Sequence, residues 1–226
     1  FAMTSRGLGD VLARELDQLG MKNVVKDHGG VGFESNWAGC YRANLRLRSA
    51  TRVLLHVQDF PAYNGDDLYN NLKKHDFTKY IGPDDTLAVE SKVRDSAMQD
   101  QRFVGLKVKD AIVDQFREKF DRRPNVDSID PDLRVVVRVV KNQVSVSIDT
   151  SGKPLFKRGY RDQNTEAPLK EHVAAGLLLL SGWNQEMSVV DPMCGSGTFL
   201  IEAALMAQRM SPGTMRSSFA FQRFSS

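Results

Sequence analysis

The sequence predicts an α+β chain whose last third opens an α/β segment, and three patterns carry that prediction. Roughly the first 60 residues alternate strand and helix signals in the order β-α-β-β-α-β, a split βαβ or ferredoxin-like arrangement. A long helical stretch over 101–120 then leads to a hairpin, the mark of a second small α+β unit. The final third reads helix, short strand, glycine loop, helix, as a parallel βα unit does.

Phe1 to Thr4 suits a short strand, and Leu8, Val11, Leu12, Leu16 and Leu19 recur at helical spacing up to the stop signal Gly20. Val24, Val25 and Val31 to Phe33 flank Gly29-Gly30 as a hairpin. Trp37, Cys40, Tyr41 and Leu45 return to helical spacing, and Val53, Leu55 and Val57 alternate as in a strand. Pro61 to Asp66 reads as a boundary. A polar helix is expected over 67–75, a strand over 86–93, then the long helix with a core stripe of Phe103 or Val104, Val108, Ala111, Ile112 and Phe116. Arg134 to Val140 and Val144 to Ile148 pair across Asn142-Gln143. After Asp149-Thr150-Ser151-Gly152, Pro168 marks a helix entrance with Leu169, Val173, Leu177 and Leu180 as its apolar stripe. Ser188 to Asp191 reads as a buried strand, 192–197 as a loop and Thr198 to Met206 as an apolar helix. Phe219, Phe221 and Phe224 are expected to be exposed if their partner strands are absent.

With 226 residues, 41% hydrophobic and 26% charged, the chain fits a globular protein rather than a disordered or collagenous one. No run is long and apolar enough for a membrane helix, and FAMTSRGLGD lacks the layout of a signal peptide, so a cytoplasmic address is the default expectation. Two cysteines, Cys40 and Cys194, make no disulfide framework, and neither they nor the histidines have metal-ligand spacing.

The net charge of +3 is unevenly placed. Residues 92–123 hold nine cations against six acids, and Lys153, Lys157, Arg158 and Arg161 follow in a stretch without acids. Such clusters are either solvated faces or a footprint for a polyanion. On the second reading Arg102, Lys107, Lys109, Arg117, Lys157, Arg158 and Arg161 are the candidate phosphate contacts.

The sharpest motif is Asp191-Pro192-Met193-Cys194-Gly195-Ser196-Gly197-Thr198 between strand and helix. Glycines there let a ligand approach backbone, and the helix N-terminus offers N–H groups to a negative group. Leu200 stands where a dinucleotide fingerprint wants glycine, and no lysine follows Gly197 as a P-loop requires. An acidic residue at the strand end suits a cationic partner instead, such as the sulfonium and amino groups of S-adenosyl-L-methionine, with its carboxylate at the helix N-terminus.

DPMCGSGTFLIEAA resembles motif I of the class I methyltransferases in the form found in the THUMP-containing RNA guanine-N2 methyltransferases, and within them the K/L branch acting on large-subunit ribosomal RNA. The likeness extends through LKVKDAIVDQF, RPNVD, KRGYRD, APLKE and SGW; Thr150 in DTSG departs from the apolar residue usual there. The resemblance implies a ferredoxin-like domain (1–60), a THUMP RNA-binding domain (61–152) and the start of a Rossmann-like methyltransferase domain (153–226). It also implies S-adenosyl-L-methionine as cofactor and structured 23S ribosomal RNA as partner, with neither DNA nor membrane. Asp191 to Thr198 then fall on the cofactor loop, and Pro168 and Leu169 on the preceding helix at the methionine end. Glu202 is expected at a cap or core edge. The family's acceptor loop, Asn/Asp-Pro-Pro-aromatic, has no counterpart, because none of the eight prolines is adjacent to another. With 35 residues after Asp191, the chain is expected to be an inactive N-terminal part of a guanine-N2 methyltransferase. The alternatives are a transfer RNA guanine-N2 enzyme, an adenine-N6 enzyme on DNA, and a stand-alone RNA-binding module.

Overall fold

The computed structural model describes residues 1–161 and 168–225. Asp162 and Ala167, the ends of two of the quoted motifs, lie outside the described residues. The chain forms two compact units, Phe1–Leu54 with Lys153–Phe219, and Leu55–Gly152 with Ala220–Ser226. The three expected segments therefore fold as two bodies: the third returns to the first, and the second takes the chain's last residues. The division falls at Leu54–Leu55, inside a strand, and ahead of the boundary expected at Pro61 to Asp66.

In the first unit β1 (Ala2–Thr4), α1 (Gly9–Gln18), β2 (Lys22–Asp27), β3 (Gly30–Glu34), α2 (Trp37–Arg46) and β4 (Ala50–Pro61) follow the expected order. The strands lie β2-β3-β1-β4, all antiparallel, with Ala2 opposite both Val31 and Val53. Val11, Leu12 and Leu16 of α1 are buried as their spacing requires. Helix α2 is rotated from expectation. Its buried side is Gly39, Ala43 and Asn44, while Trp37, Tyr41 and Leu45 face outward. Glycine is required at 39 by the chain that enters the helix: a Cβ there would collide with the Ser35 side chain.

The returning segment adds α5 (Glu171–Leu180) and α6 (Thr198–Ala207) to this unit. Helix α5 begins at Glu171, so Pro168 and Leu169 precede it instead of lying on it. Its buried face is Glu171, His172, Ala174, Ala175, Gly176 and Leu178, and Leu177 and Leu180 of the expected stripe are exposed. In a helix apolar all round, periodicity cannot choose a face; here close approach chose it, since a Cβ on Gly176 would meet Leu8 at 2.7 Å. Ser188 to Asp191 form no strand, and Val190 is 84% exposed. A strand exists only through a hydrogen-bonded neighbour, and among the described residues none pairs with these.

In the second unit β4 leads to α3 (Gly65–Leu72), a 3-10 turn (Phe77–Lys79), β5 (Thr86–Arg94), α4 (Gln101–Phe120), β6 (Asn125–Val126), β7 (Leu133–Val140) and β8 (Gln143–Asp149). The strand order is β4-β8-β7-β5-β6, with β5 parallel to β6 and β7 and β7 antiparallel to β8. Helix α3 ends earlier than the expected polar helix; Asn64 caps it, accepting from the amides of Asp66 and Asp67. The hairpin turn is Lys141-Asn142, one residue ahead of expectation, with φ of 50° and 63°, the paired positive angles of a two-residue type I′ turn. Val104, Val108, Ala111, Ile112 and Phe116 of α4 join Val135, Val137, Val139, Val144 and Val146 in one core. Asp100 caps α4 at its start, and Asp121 closes it in the left-handed region. The terminal phenylalanines are not exposed as expected. Phe219 is buried in the first unit under the Arg216 guanidinium, Phe221 is half-buried, and Phe224 lies edge-on to Tyr80 in the second.

Candidate cofactor loop and RNA-facing surface

The loop from Asp191 to Gly197 turns on two glycines at positive φ, Gly195 at 52° and Gly197 at 70°. The amide of Gly197 donates to the Cys194 carbonyl at 2.7 Å, and the Asp191 carboxylate accepts from the amide of Met193 at 3.1 Å. Helix α6 starts on Gly197, which has no side chain to cap it. The first-turn N–H groups of a helix have no partner inside it and are left for solvent or ligand. A Cβ on Gly195 would meet nothing within 4 Å, and one on Gly197 only the tip of Ile201 at 4.0 Å. The glycines therefore serve the turn and the open space in front of it, not internal packing. Pro192, Met193, Cys194, Gly195 and Ser196 are exposed, and Ser196 Oγ lies 3.1 Å from Thr198 Oγ1.

Behind this loop the structure places charged side chains whose roles the sequence misassigned. Arg158, expected to meet phosphate, is 1% exposed and cannot reach one. Its Nε lies 3.5 Å from Glu202 Oε1, and it donates to the carbonyls of Leu155 at 2.9 Å and Arg48 at 2.6 Å. Glu202, on α6, is fully buried and also accepts from Tyr160 Oη at 3.1 Å; burial pushes its carboxyl above the usual range, against the pull of Arg158. Burial also raises the Tyr160 phenol, helped by the Glu202 charge. Arg48 donates to the Met210 carbonyl at 2.5 Å, and Glu15 of α1 accepts from the amides of Arg48 and Ser49. Arg161 reaches Thr198 Oγ1 at 2.8 Å and the Leu169 carbonyl at 3.2 Å, with Glu171 at 3.6 Å, so it serves the start of α6. Of the cations expected in the Lys157 to Arg161 stretch, Lys157 alone stays exposed. No periodicity announces this network, because an arginine in a loop gives no sign of which carboxylate it will meet.

In the second unit the four α4 cations expected to meet phosphate do not share one face. Arg102 and Lys109 line a groove of about 540 Å³ between α4 and β5 together with Arg134, over a floor that includes Leu87, Val89 and Leu106. Lys107 points toward α3, 4.0 Å from Asp66, and Arg117 pairs with Asp114 at 3.0 Å. Arg134, which donates to the carbonyls of Ser128 and Ile129, was not among the expected contacts.

The residues fit S-adenosyl-L-methionine by one test. The uncapped start of α6, with Arg161 beside it, suits a carboxylate, and the Asp191 carboxylate at the other end of the loop suits a cationic centre.

Three family models match in chain order: the RlmL ferredoxin-like domain over 1–54, the THUMP domain over 62–149 and the RMKL-like methyltransferase domain over 158–225. The ribosomal RNA large subunit methyltransferase K/L of Psychromonas ingrahamii is 40% identical over 99% of this chain and 30% of its own length. A Synechocystis protein named "Putative RNA methyltransferase slr0064" is 39% identical over 99% of this chain and 58% of its own. The crystal structure described as "SMU.472, a putative methyltransferase complexed with SAH" superposes with a TM-score of 0.87 at 35% identity, over 99% of this chain and 59% of that one. The chain thus spans less than two thirds of each of these relatives. It carries, in this order, an RlmL ferredoxin-like, a THUMP and an RMKL-like methyltransferase domain, and is similar along nearly its whole length to RNA methyltransferases that carry 39–40% identity to it.

Proposed function

We propose that the chain is the RNA-binding and cofactor-loop part of an S-adenosyl-L-methionine-dependent methyltransferase that modifies guanine N2 in 23S ribosomal RNA. The observation that carries this reading is the loop itself: two left-handed glycines open the backbone in front of an uncapped helix, with Asp191 at the loop's start. The SAH in a relative 35% identical supports the cofactor, and the name of the Psychromonas relative supports the large ribosomal RNA. When bound, S-adenosyl-L-methionine supplies the methyl group. Asp191 would hold the ligand's cationic end, and Thr198 to Leu200, with Arg161 behind Thr198, would hold its carboxylate. Cys194 is then a loop residue, not a nucleophile: its Sγ turns toward the Gly195 carbonyl, 3.8 Å away. The groove cations Arg102, Lys109 and Arg134 would meet RNA phosphates. No catalytic residue is assigned within these 226, because they contain no adjacent prolines for an acceptor loop.

The test is nucleoside analysis of 23S ribosomal RNA from cells lacking the gene, with transfer RNA analysed in parallel. Loss of an N2-methylguanine from 23S alone is the expected result. Loss from transfer RNA instead would replace the substrate, and no loss from either would overturn the assignment.

A further inference from the structure

Strand β5 keeps one edge open along most of its length. Strand β6 pairs with Thr86 and Leu87 only, whereas β7 follows the other edge from Leu87 to Arg94 in unbroken register. The carbonyls of Asp85 and Leu87 accept from the amides of Asn125 and Asp127 at 3.2 and 3.3 Å. Alternate residues of a strand turn their backbone groups to the same edge, so Val89, Ser91 and Val93 turn theirs to this one, beyond the end of β6. Among the described residues no strand meets them there. Asp127 leads the chain away, its Oδ1 accepting from the amides of Ile129 at 2.8 Å and Asp130 at 3.3 Å. The open edge is one wall of the groove beside α4. Consecutive residues from Leu87 to Ser91 line that wall, as a strand does when it offers both faces and its backbone. On the opposite wall Leu106, 56% exposed, sits between Arg102 and Lys109, and Val126 at the end of β6 is 61% exposed.

The chemistry of the groove selects its occupant. An open strand edge presents N–H and C=O groups together, and another polypeptide backbone answers both in register. Phosphates accept only, and would leave the carbonyls without donors. Leu106 and Val126 call for apolar side chains. Arg102, Lys109 and Arg134 face one lining acid, Glu90, whose carboxylate lies 3.5 Å from Lys92, and Arg102 pairs with no carboxylate among the described residues. A second copy of the chain would bring the same cations and be repelled. We propose that the groove between α4 and β5 receives an extended segment of a partner protein, alternately apolar and acidic, which adds to the open edge of β5 as a further strand. Its backbone pairs with Val89, Ser91 and Val93, its apolar side chains cover Leu106 and Val126, and its carboxylates meet the three cations. Because those cations are also the ones assigned to RNA phosphates, the acidic strand excludes RNA from the groove; this competition, though not the strand pairing, rests on that reading.

The probe is an end-blocked, fluorescently labelled peptide alternating valine and glutamate, titrated onto the wild-type chain. It should bind, and the same peptide with lysine in place of glutamate should not. N-methylation of alternate amides separates strand addition from attraction of charge. Methyls on the set that faces β5 should weaken binding about two- to tenfold for each hydrogen bond lost, and methyls on the other set should leave it unchanged. Hydrogen exchange at the Val89, Ser91 and Val93 amides should slow when the peptide binds, while the Ala88, Glu90 and Lys92 amides, already turned to β7, should not change. Arg102→Glu should weaken the acidic peptide and admit the lysine one. The acidic peptide should also displace a 23S ribosomal RNA stem. No binding of the acidic peptide, or equal loss from both methylated sets, would overturn the proposal. If RNA binds and the peptide does not, the proposal fails while the RNA reading stands. If the peptide binds as described but does not displace RNA, strand addition holds and the groove drops out of the RNA reading. Slowing of the three amides by RNA alone, or by raised chain concentration alone, would give the edge to RNA or to a second copy and overturn the proposal.

Discussion

Replacing Arg158 with alanine separates the structural assignment of this residue from the expectation that it binds phosphate. In the structure the Arg158 and Glu202 side chains are 1% and 0% exposed and face each other at 3.5 Å. Truncation would leave a buried carboxylate without its cation and two carbonyls, those of Leu155 and Arg48, without their donor. Breaking a buried pair from one side costs about 3 to 5 kcal/mol, a large share of the roughly 5 to 15 kcal/mol by which domains are stable. Burial already raises the Glu202 carboxyl, and losing the guanidinium raises it further. Protonation removes the penalty, so the deficit should be larger at pH 7 than at pH 5. Arg158→Met with Glu202→Met together should cost less than the sum of the single changes, since no charge is then stranded. The assay is urea unfolding at both pH values, with RNA titrations across salt alongside. A variant that unfolds within about 0.5 kcal/mol of wild type, a span usual for surface changes, while its RNA salt slope falls by about one, would refute the buried-pair reasoning and restore the phosphate contact.

Three further outcomes are expected. Reversing Lys107 and Lys109 to glutamate should reduce the slope of log K against log salt by about one for each lost contact, and an unchanged slope would return these lysines to a solvated face. Asp191→Ala should remove a charge-assisted partner worth about 1.5 to 3 kcal/mol, and Gly197→Val forces a branched residue to φ 70°. Introduced into the gene, both should abolish the methylation that the proposed function assigns while RNA binding by the chain persists; normal methylation in both strains would remove the loop from the site. His172, buried on α5 with Nε2 2.7 Å from Ser5 Oγ, is lowered to about 4 by burial first and then by Arg158 and Lys170. Its folded form binds fewer protons than the unfolded chain between about pH 4 and 6.5. Its contribution is therefore complete above pH 6.5 and is lost as pH falls to about 4, by up to about 3 kcal/mol. Comparing unfolding of His172→Gln with wild type at pH 7 and 5 isolates it from Glu15 and Glu202, whose raised pKa values act in the opposite direction.

Wherever a pattern is local and one-sided, the sequence by itself determined the element. The stripe of α1, the stripe and both limits of α4, and the glycine loop ahead of α6 could all be read because apolar spacing and left-handed glycines act within a few residues. Tertiary structure decided the rest. Trp37, Tyr41 and Leu45 keep perfect helical spacing yet are exposed, because the side of α2 that is buried carries Gly39, Ala43 and Asn44 instead. Leu177 and Leu180 lie outward for the same reason, with Gly176 seated on Leu8. Ser188 to Asp191 look like a strand, but a strand is made by its neighbour. Arg158 and Arg161 read alike in a basic stretch, and only the fold turns one inward to Glu202 and the other to Thr198, since the partner of a charge is set by contacts distant in sequence.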